Sequence, residues 1–486
     1  MENKKGMGLI ALISIVVSSA IGGGVFNLSN DLANGATAGG VIVAWFFVGL
    51  GLLTLVLSLN HLIINKPELS GVSDYAREGF GDLVGFLSGW GYWLSTWLGN
   101  IAFAVLMMIS MDYFFPGKFA NTNGSLTILA VVTVSALSWL LSLLVSKGVE
   151  SAAVVNAIVL VCKLIPIFVF MIAGILMFKL GIFTTEFWNN VSENAQGMIQ
   201  IQGAMTAGGL LEQVKSSLIV MIWVFVGIEG AAMMGDRAKK KSDAGRATIV
   251  GLIVLLFIYI LLSLLPFGYY EQAELAAMKT LGMVYILKDM LGDFGGALMA
   301  VGLVVSVLGA WLSWTMLPVE STTQLANQKL LPEWFGRLNK YNAPANSLWL
   351  TQIFVQLFIL VTFFVANAYN VMVYLCTACI MICYALVGAY MMKHGWEEKN
   401  IKNMWIGFIA FAFQALALWL SGWQYVWMGS ILYAIGFVFY YMAKKENKSK
   451  LSHVEVLSIL LIIILSIFAV IGLVGNHYGL RELLGL

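Results

Sequence analysis

Three consecutive glycines, Gly22-Gly23-Gly24, stand in the middle of an apolar run from about Leu9 to Leu32. The run is long enough to cross a bilayer, for which roughly 20 apolar residues suffice. Each glycine costs about 1 kcal/mol against alanine in a helix, so the run predicts two half-helices with a break between them. Within hydrocarbon, backbone that leaves the helix must be buried in protein or line a wet cavity. A second interrupted run answers the first. Ile222-Trp223-Val224-Phe225-Val226-Gly227-Ile228-Glu229-Gly230 lies in an apolar stretch from about Leu218 to Met234 and sets a carboxylate beside its glycines. Two glycine-interrupted segments, one in each half of a chain, point to a transporter's midplane site. The expectation is a membrane transporter organised around two broken helices.

Composition excludes the soluble alternatives: of 486 residues, 60% are hydrophobic and only 11% charged, which is neither a soluble globular nor a disordered chain. The start, Met1 to Lys5, is short and basic, and the apolar run behind it is too long for the core of a cleavable signal. Hydropathy predicts an all-α polytopic membrane protein with thirteen spans. They lie at about 8–32, 38–64, 83–115, 126–146, 152–178, 216–235, 247–269, 294–327, 347–366, 369–393, 403–420, 424–443 and 454–475. The connection from Lys179 to Lys215 reads as a partly helical surface segment, and an amphipathic piece from Gln272 to Leu291 precedes the eighth span.

Loop charge predicts the orientation. With a cytoplasmic N-terminus, thirteen spans put 20 of the 27 lysines and arginines at inside ends, among them Lys66, Arg77, Lys147, Lys239, Lys240, Lys393, Lys444 and Lys445. That bias is the one positive-inside sorting produces, and it places the C-terminus outside. Four cysteines, three of them (Cys376, Cys379, Cys383) on one apolar segment, read as buried free thiols. His61, His394, His453 and His477 form no local cluster, so neither a metal set nor a catalytic constellation is expected, and no cofactor.

Gly22-Gly23-Gly24-Val25-Phe26 resembles the Gly-x-Gly-(Ile/Val)-Phe element of the amino acid–polyamine–organocation superfamily. Trp223 to Gly230 is similar to the sixth-helix motif of its basic amino acid/polyamine antiporters, Tyr92-Trp93 through Asn100 to the third helix, and Gly309-Ala310-Trp311 to the eighth. The four motifs stand in the right order, and the likeness is to arginine/ornithine antiporters and amino acid/amine exchangers. It implies a five-plus-five inverted repeat (LeuT-like) with broken helices 1 and 6. Repeat one would cover about 8–178, repeat two about 216–393, and additional helices about 403–475. It also implies exchange of an external amino acid for its metabolic product: arginine for ornithine, or an amino acid for its decarboxylated amine, as histidine for histamine. The alternatives are proton-coupled uptake and a non-transporting amino acid sensor. Arginine/agmatine exchangers carry a serine where this chain has Gly23, so the substrate pair stays open. Partners implied are amino acid and amine substrates and the lipid bilayer, with a homodimer allowed and no nucleic acid.

The first break, Ala20 to Gly24, offers N–H groups at the start of a half-helix, where donors and dipole favour a substrate carboxylate. Close helix packing is the other use of its glycines. At the second break, carbonyls near Val226 and Gly227 can receive the ammonium, and Val226 can pack on the substrate side chain. Glu229 is an acid at membrane depth, read either as a functional group of the cycle or as a hydrogen-bonding bridge. Lys163 is the other costly charge. By resemblance it replaces the sodium ion that pins the first and eighth helices of relatives, and whether it holds its proton through the cycle is left open; the other reading is snorkelling to an interface. Trp223 and Trp311 are expected to cover the substrate and gate it, with Tyr92 a further gate; Ser95, Thr96, Asn100 and Phe103 share that neighbourhood.

Overall fold

The computed structural model describes residues 8–69, 71–147, 153–193, 199–230 and 238–475. Helices dominate it, as they must where hydrocarbon offers backbone groups no water. In order they are α1 (Leu9–Ala20), α2 (Leu28–Ala33), α3 (Ala38–Asn65), α4 (Val72–Phe80), α5 (Asp82–Phe114) and α6 (Ile128–Ser146). There follow α7 (Ala153–Leu176), α8 (Leu180–Thr185), α9 (Ala207–Trp223), α10 (Lys241–Leu264), α11 (Gln272–Ala276) and α12 (Gly282–Asn327). The chain continues through α13 (Ala345–Val361), α14 (Ala368–Glu397), α15 (Ile401–Ala417), α16 (Trp423–Glu446) and α17 (His453–Val474).

Ten of these helical stretches are long and apolar enough to cross a membrane, or eleven when the bent pair on either side of Gly22 is taken as one span. The expected thirteen is not reached on that measure. The sixth expected span, 216–235, overlaps only the end of α9, and the ninth, 347–366, falls on α13; each helix has 17 residues, too short to pass, and 231–237 lies outside the described residues, as do both termini. The segment 179–215 departs further from expectation. It holds α8 and an antiparallel hairpin of β1 (Asn189–Glu193) and β2 (Ile199–Ala204). Its Gly208-Gly209-Leu210-Leu211 is the first turn of α9, capped by Thr206, whose hydroxyl accepts the Gly209 N–H at 3.0 Å. The expected amphipathic piece 272–291 is split: α11 is short, and 282–291 is the first part of α12, set off from the rest by a kink at Gly292, whose φ of 72° only glycine adopts readily.

Burial sorts the helices into centre and rim. The most apolar window is 89% buried in α5 and 83% in α14, against 17% in α17, so α5 and α14 form the interior while α17 offers Leu457, Leu461 and Phe468 to lipid. With 33 residues at 1.5 Å rise, α5 spans about 50 Å and outruns a ~30 Å hydrocarbon core. It packs between α12 and α14. Small residues let α14 cross α15 closely: a Cβ on Gly395 would stand 2.4 Å from Met404 N.

Candidate functional site

The first break is formed by backbone that stops obeying the helix at Ile21, with ψ of 82°. Gly22 N–H turns back to Ala20 O at 2.8 Å, and the chain resumes as a 3-10 turn, Gly24–Asn27, leading into α2 at 50° to α1. Two kinds of orphan result. The N–H groups of Gly23, Gly24 and Val25 have no hydrogen-bond partner among the described residues, and they sit at the positive end of a half-helix. The carbonyls are taken: Lys163 Nζ, from α7, donates to Ser18 O at 2.6 Å and Ile21 O at 2.9 Å. Ser306 Oγ, from α12, donates to Gly22 O at 3.2 Å. Lys163 is 1% exposed, so it does not snorkel, and with Ser306 it ties α7, α1 and α12 at one point.

Side chains close on all three glycines. A Cβ would lie 2.7 Å from the Phe103 ring at Gly22, 2.6 Å from Leu106 Cδ2 at Gly23 and 2.3 Å from Trp223 Nε1 at Gly24. The same glycines thus serve close packing and leave free donors, and Trp223 packs on Gly24.

At the second break, α9 ends at Trp223 and the chain turns through Val224–Ile228. Gly227 has φ of 104°, and a Cβ there would stand 2.9 Å from Ser19 O, so left-handed backbone and close approach both demand glycine. Gly227 O already accepts Ser19 Oγ at 2.9 Å and Gly230 N at 2.9 Å, whereas Val226 O is free among the described residues. Glu229, 2% exposed, is surrounded by donors: Tyr92 OH at 3.1 Å, Tyr384 OH at 2.5 Å and Gly227 N–H at 3.0 Å. Its carboxylate joins the break to α5 and α14. Tyr92, buried against it, is part of that bridge.

Phe103, Trp223 and Trp314 form an aromatic triangle over the first break, with centroids 5.7, 5.1 and 6.2 Å apart. The indole N–H of Trp314 is buried without a partner among the described residues, and the buried indole N–H of Trp223 faces the hydroxyl of Tyr369. Trp311 does not join this triangle. It lines a narrow cavity with Asn100, Thr315, Gln352 and Val355 on another side of α12. Asn100 Nδ2 donates to Trp314 O at 3.0 Å and its Oδ1 is unpartnered. Ser95 meets Cys376 Sγ at 3.2 Å, and Thr96 Oγ1 bonds back to Tyr92 O at 2.9 Å, so both are engaged within the helix pack.

Several residues here were missed by sequence reasoning. Trp314 lies one turn past Trp311, and only packing tells which of the two faces the break. Ser19, Ser306, Tyr369 and Tyr384 carry no local signal. Asp31 did carry one, an acid inside a span. It sits on α2 two turns beyond Gly24, accepts Asn27 Nδ2 at 2.6 Å and has no basic partner among the described residues.

Comparison with known proteins bears on what these breaks are for. The amino acid permease family model matches residues 7–468. Two arginine/ornithine antiporters of Lactococcus lactis subsp. cremoris are 65% and 62% identical; each match covers 100% of this chain, and 93% and 100% of the relative. An arginine/ornithine antiporter of Latilactobacillus sakei is 47% identical, with 91% of each chain covered. Buried broken helices, ten or more apolar spans and a family match over nearly the full length agree: the chain is a multi-pass membrane protein and belongs to the amino acid permease family.

Proposed function

We propose that the protein is an antiporter that takes up arginine in exchange for ornithine by alternating access, with a five-plus-five inverted repeat and a cytoplasmic N-terminus. The observation that carries the reading is the set of free N–H groups at Gly23, Gly24 and Val25, with Trp223 packed on Gly24. A substrate carboxylate would take those donors, and the free Val226 carbonyl the α-ammonium. The cationic side chain would run along α2 past Trp223 and Tyr369 towards Asp31. From Gly24 to Asp31 is two turns, about 10 Å, a fit for a long cationic amino acid. Trp223 has to swing aside for the donors to be reached, which makes it the gate. Full-length identity to arginine/ornithine antiporters supports this pair over amino acid/amine exchange.

Counterflow in proteoliposomes tests it. Vesicles loaded with ornithine should accumulate labelled arginine, whereas empty vesicles and vesicles loaded with histamine or agmatine should not match them. Arginine uptake that ignores internal ornithine would overturn the exchange reading.

A further inference from the structure

Two of the chain's four histidines, distant in sequence, meet where α3 and α14 end on the same side. Glu398, which caps α14, reaches both: its Oε1 lies 3.3 Å from His394 Nε2 and its Oε2 3.8 Å from His61 Nε2. The imidazole centroids are 5.6 Å apart, and one ligand atom from each of the three residues falls within 4.8 Å of the others. A tetrahedral zinc with bonds of about 2.0–2.1 Å holds its ligands about 3.3 Å apart, so small side-chain rotations close this set on one ion. His394 is 5% exposed, and its Nε2 has no hydrogen-bond partner among the described residues. A buried nitrogen thus points at the gap with nothing in hydrogen-bonding geometry to receive it. The neighbouring Glu397 is engaged with Lys393 at 3.9 Å, which leaves Glu398 to the histidines.

We propose that His61, His394 and Glu398 bind a divalent transition metal of the zinc class, with water completing the shell. Two imidazoles and one carboxylate suit Zn²⁺ and its neighbours, whereas Ca²⁺ and Mg²⁺ require oxygen ligands throughout. The ion would clamp α3 to α14, the helix whose Tyr384 holds Glu229. A bound metal would therefore restrain an element that has to move if the second break opens.

The test is Co²⁺ titration of the purified full-length protein with any affinity tag removed, followed by the visible absorption of tetrahedral Co²⁺ and its displacement by Zn²⁺. One Co²⁺ per chain is expected. His61→Ala and Glu398→Gln, both at partly exposed positions, should weaken binding at least about 10-fold, while His453→Ala with His477→Ala should leave it unchanged. The unfolding temperature should rise with Zn²⁺ in the wild type and not in His61→Ala, which separates a lost site from a misfolded protein. Absence of the Co²⁺ spectrum in the wild type, or equal affinity in His61→Ala and Glu398→Gln, would overturn the site.

Discussion

Lys163 brings an ammonium to membrane depth and finds carbonyls there, Ser18 O and Ile21 O, rather than a carboxylate. Hydrogen bonds from a charged donor contribute about 1.5–3 kcal/mol each, and of these two carbonyls Ser306 Oγ reaches only Ile21 O, at 3.5 Å. Lys163→Ala should therefore insert normally and lose most exchange, while the wild type should need no sodium on the proposal that the ammonium serves in a cation's place. Counterflow with and without sodium decides this, and a sodium requirement would defeat it. Trp223→Ala should weaken arginine binding about 5- to 30-fold, the loss of a partly desolvated cation–π contact of about 1–2 kcal/mol. Trp311→Ala should cost less than Trp314→Ala, because Trp311 faces the other cavity. Equal losses in equilibrium binding for these two variants would return Trp311 to the site.

Neither half-helix at the breaks stands alone. Asn30 Nδ2 donates to Leu275 O and Met278 O, both at 2.9 Å, Asn27 Oδ1 accepts the Leu281 N–H at 2.7 Å, and Gln272 donates to Ala33 O. These bonds staple α2 to the segment from α11 to the start of α12, so the two should travel as one body. Asn30→Ala strands Met278 O, at about 1–3 kcal/mol for a buried group left unmade, while Leu275 O keeps the Met278 N–H at 3.3 Å. It should lower the unfolding temperature and slow exchange more than it weakens binding. The second break depends on Gly227 in the same way. Gly227→Ala adds a side chain at positive φ, 2.9 Å from Ser19 O, a strain of about 1–3 kcal/mol. An unfolding temperature equal to that of the wild type would mean that this backbone relaxes freely.

For the whole molecule, the lysine and arginine bias predicts which loops face the cytoplasm. Single cysteines at Lys240 and Asn476, on a background lacking the four native thiols, should be labelled by an impermeant reagent from outside at Asn476 alone. External labelling at Lys240 would invert the orientation. Arginine and ornithine carry the same net charge, so their exchange should be insensitive to membrane voltage. Voltage-driven uptake would instead favour exchange of a zwitterion for a cationic amine.

The sequence by itself determined the membrane class, the bounds of most spans and the places where two helices break, since these depend on local apolar length and on glycine. The lone charges Glu229 and Lys163 were legible for the same reason: a charge inside an apolar run stands out without knowledge of its partners. Their partners were not. That Lys163 meets Ser18 and Ile21, that Tyr92 and Tyr384 share Glu229, and that Trp314 rather than Trp311 completes the triangle over the glycines depend on how α5, α7, α12 and α14 are rotated about their axes. In helices whose few polar residues are scattered no polar face records that rotation, so only tertiary packing decided it. The pairing of β1 with β2 and the meeting of His61 with His394 belong to the same class: contacts across space that no short stretch of sequence encodes.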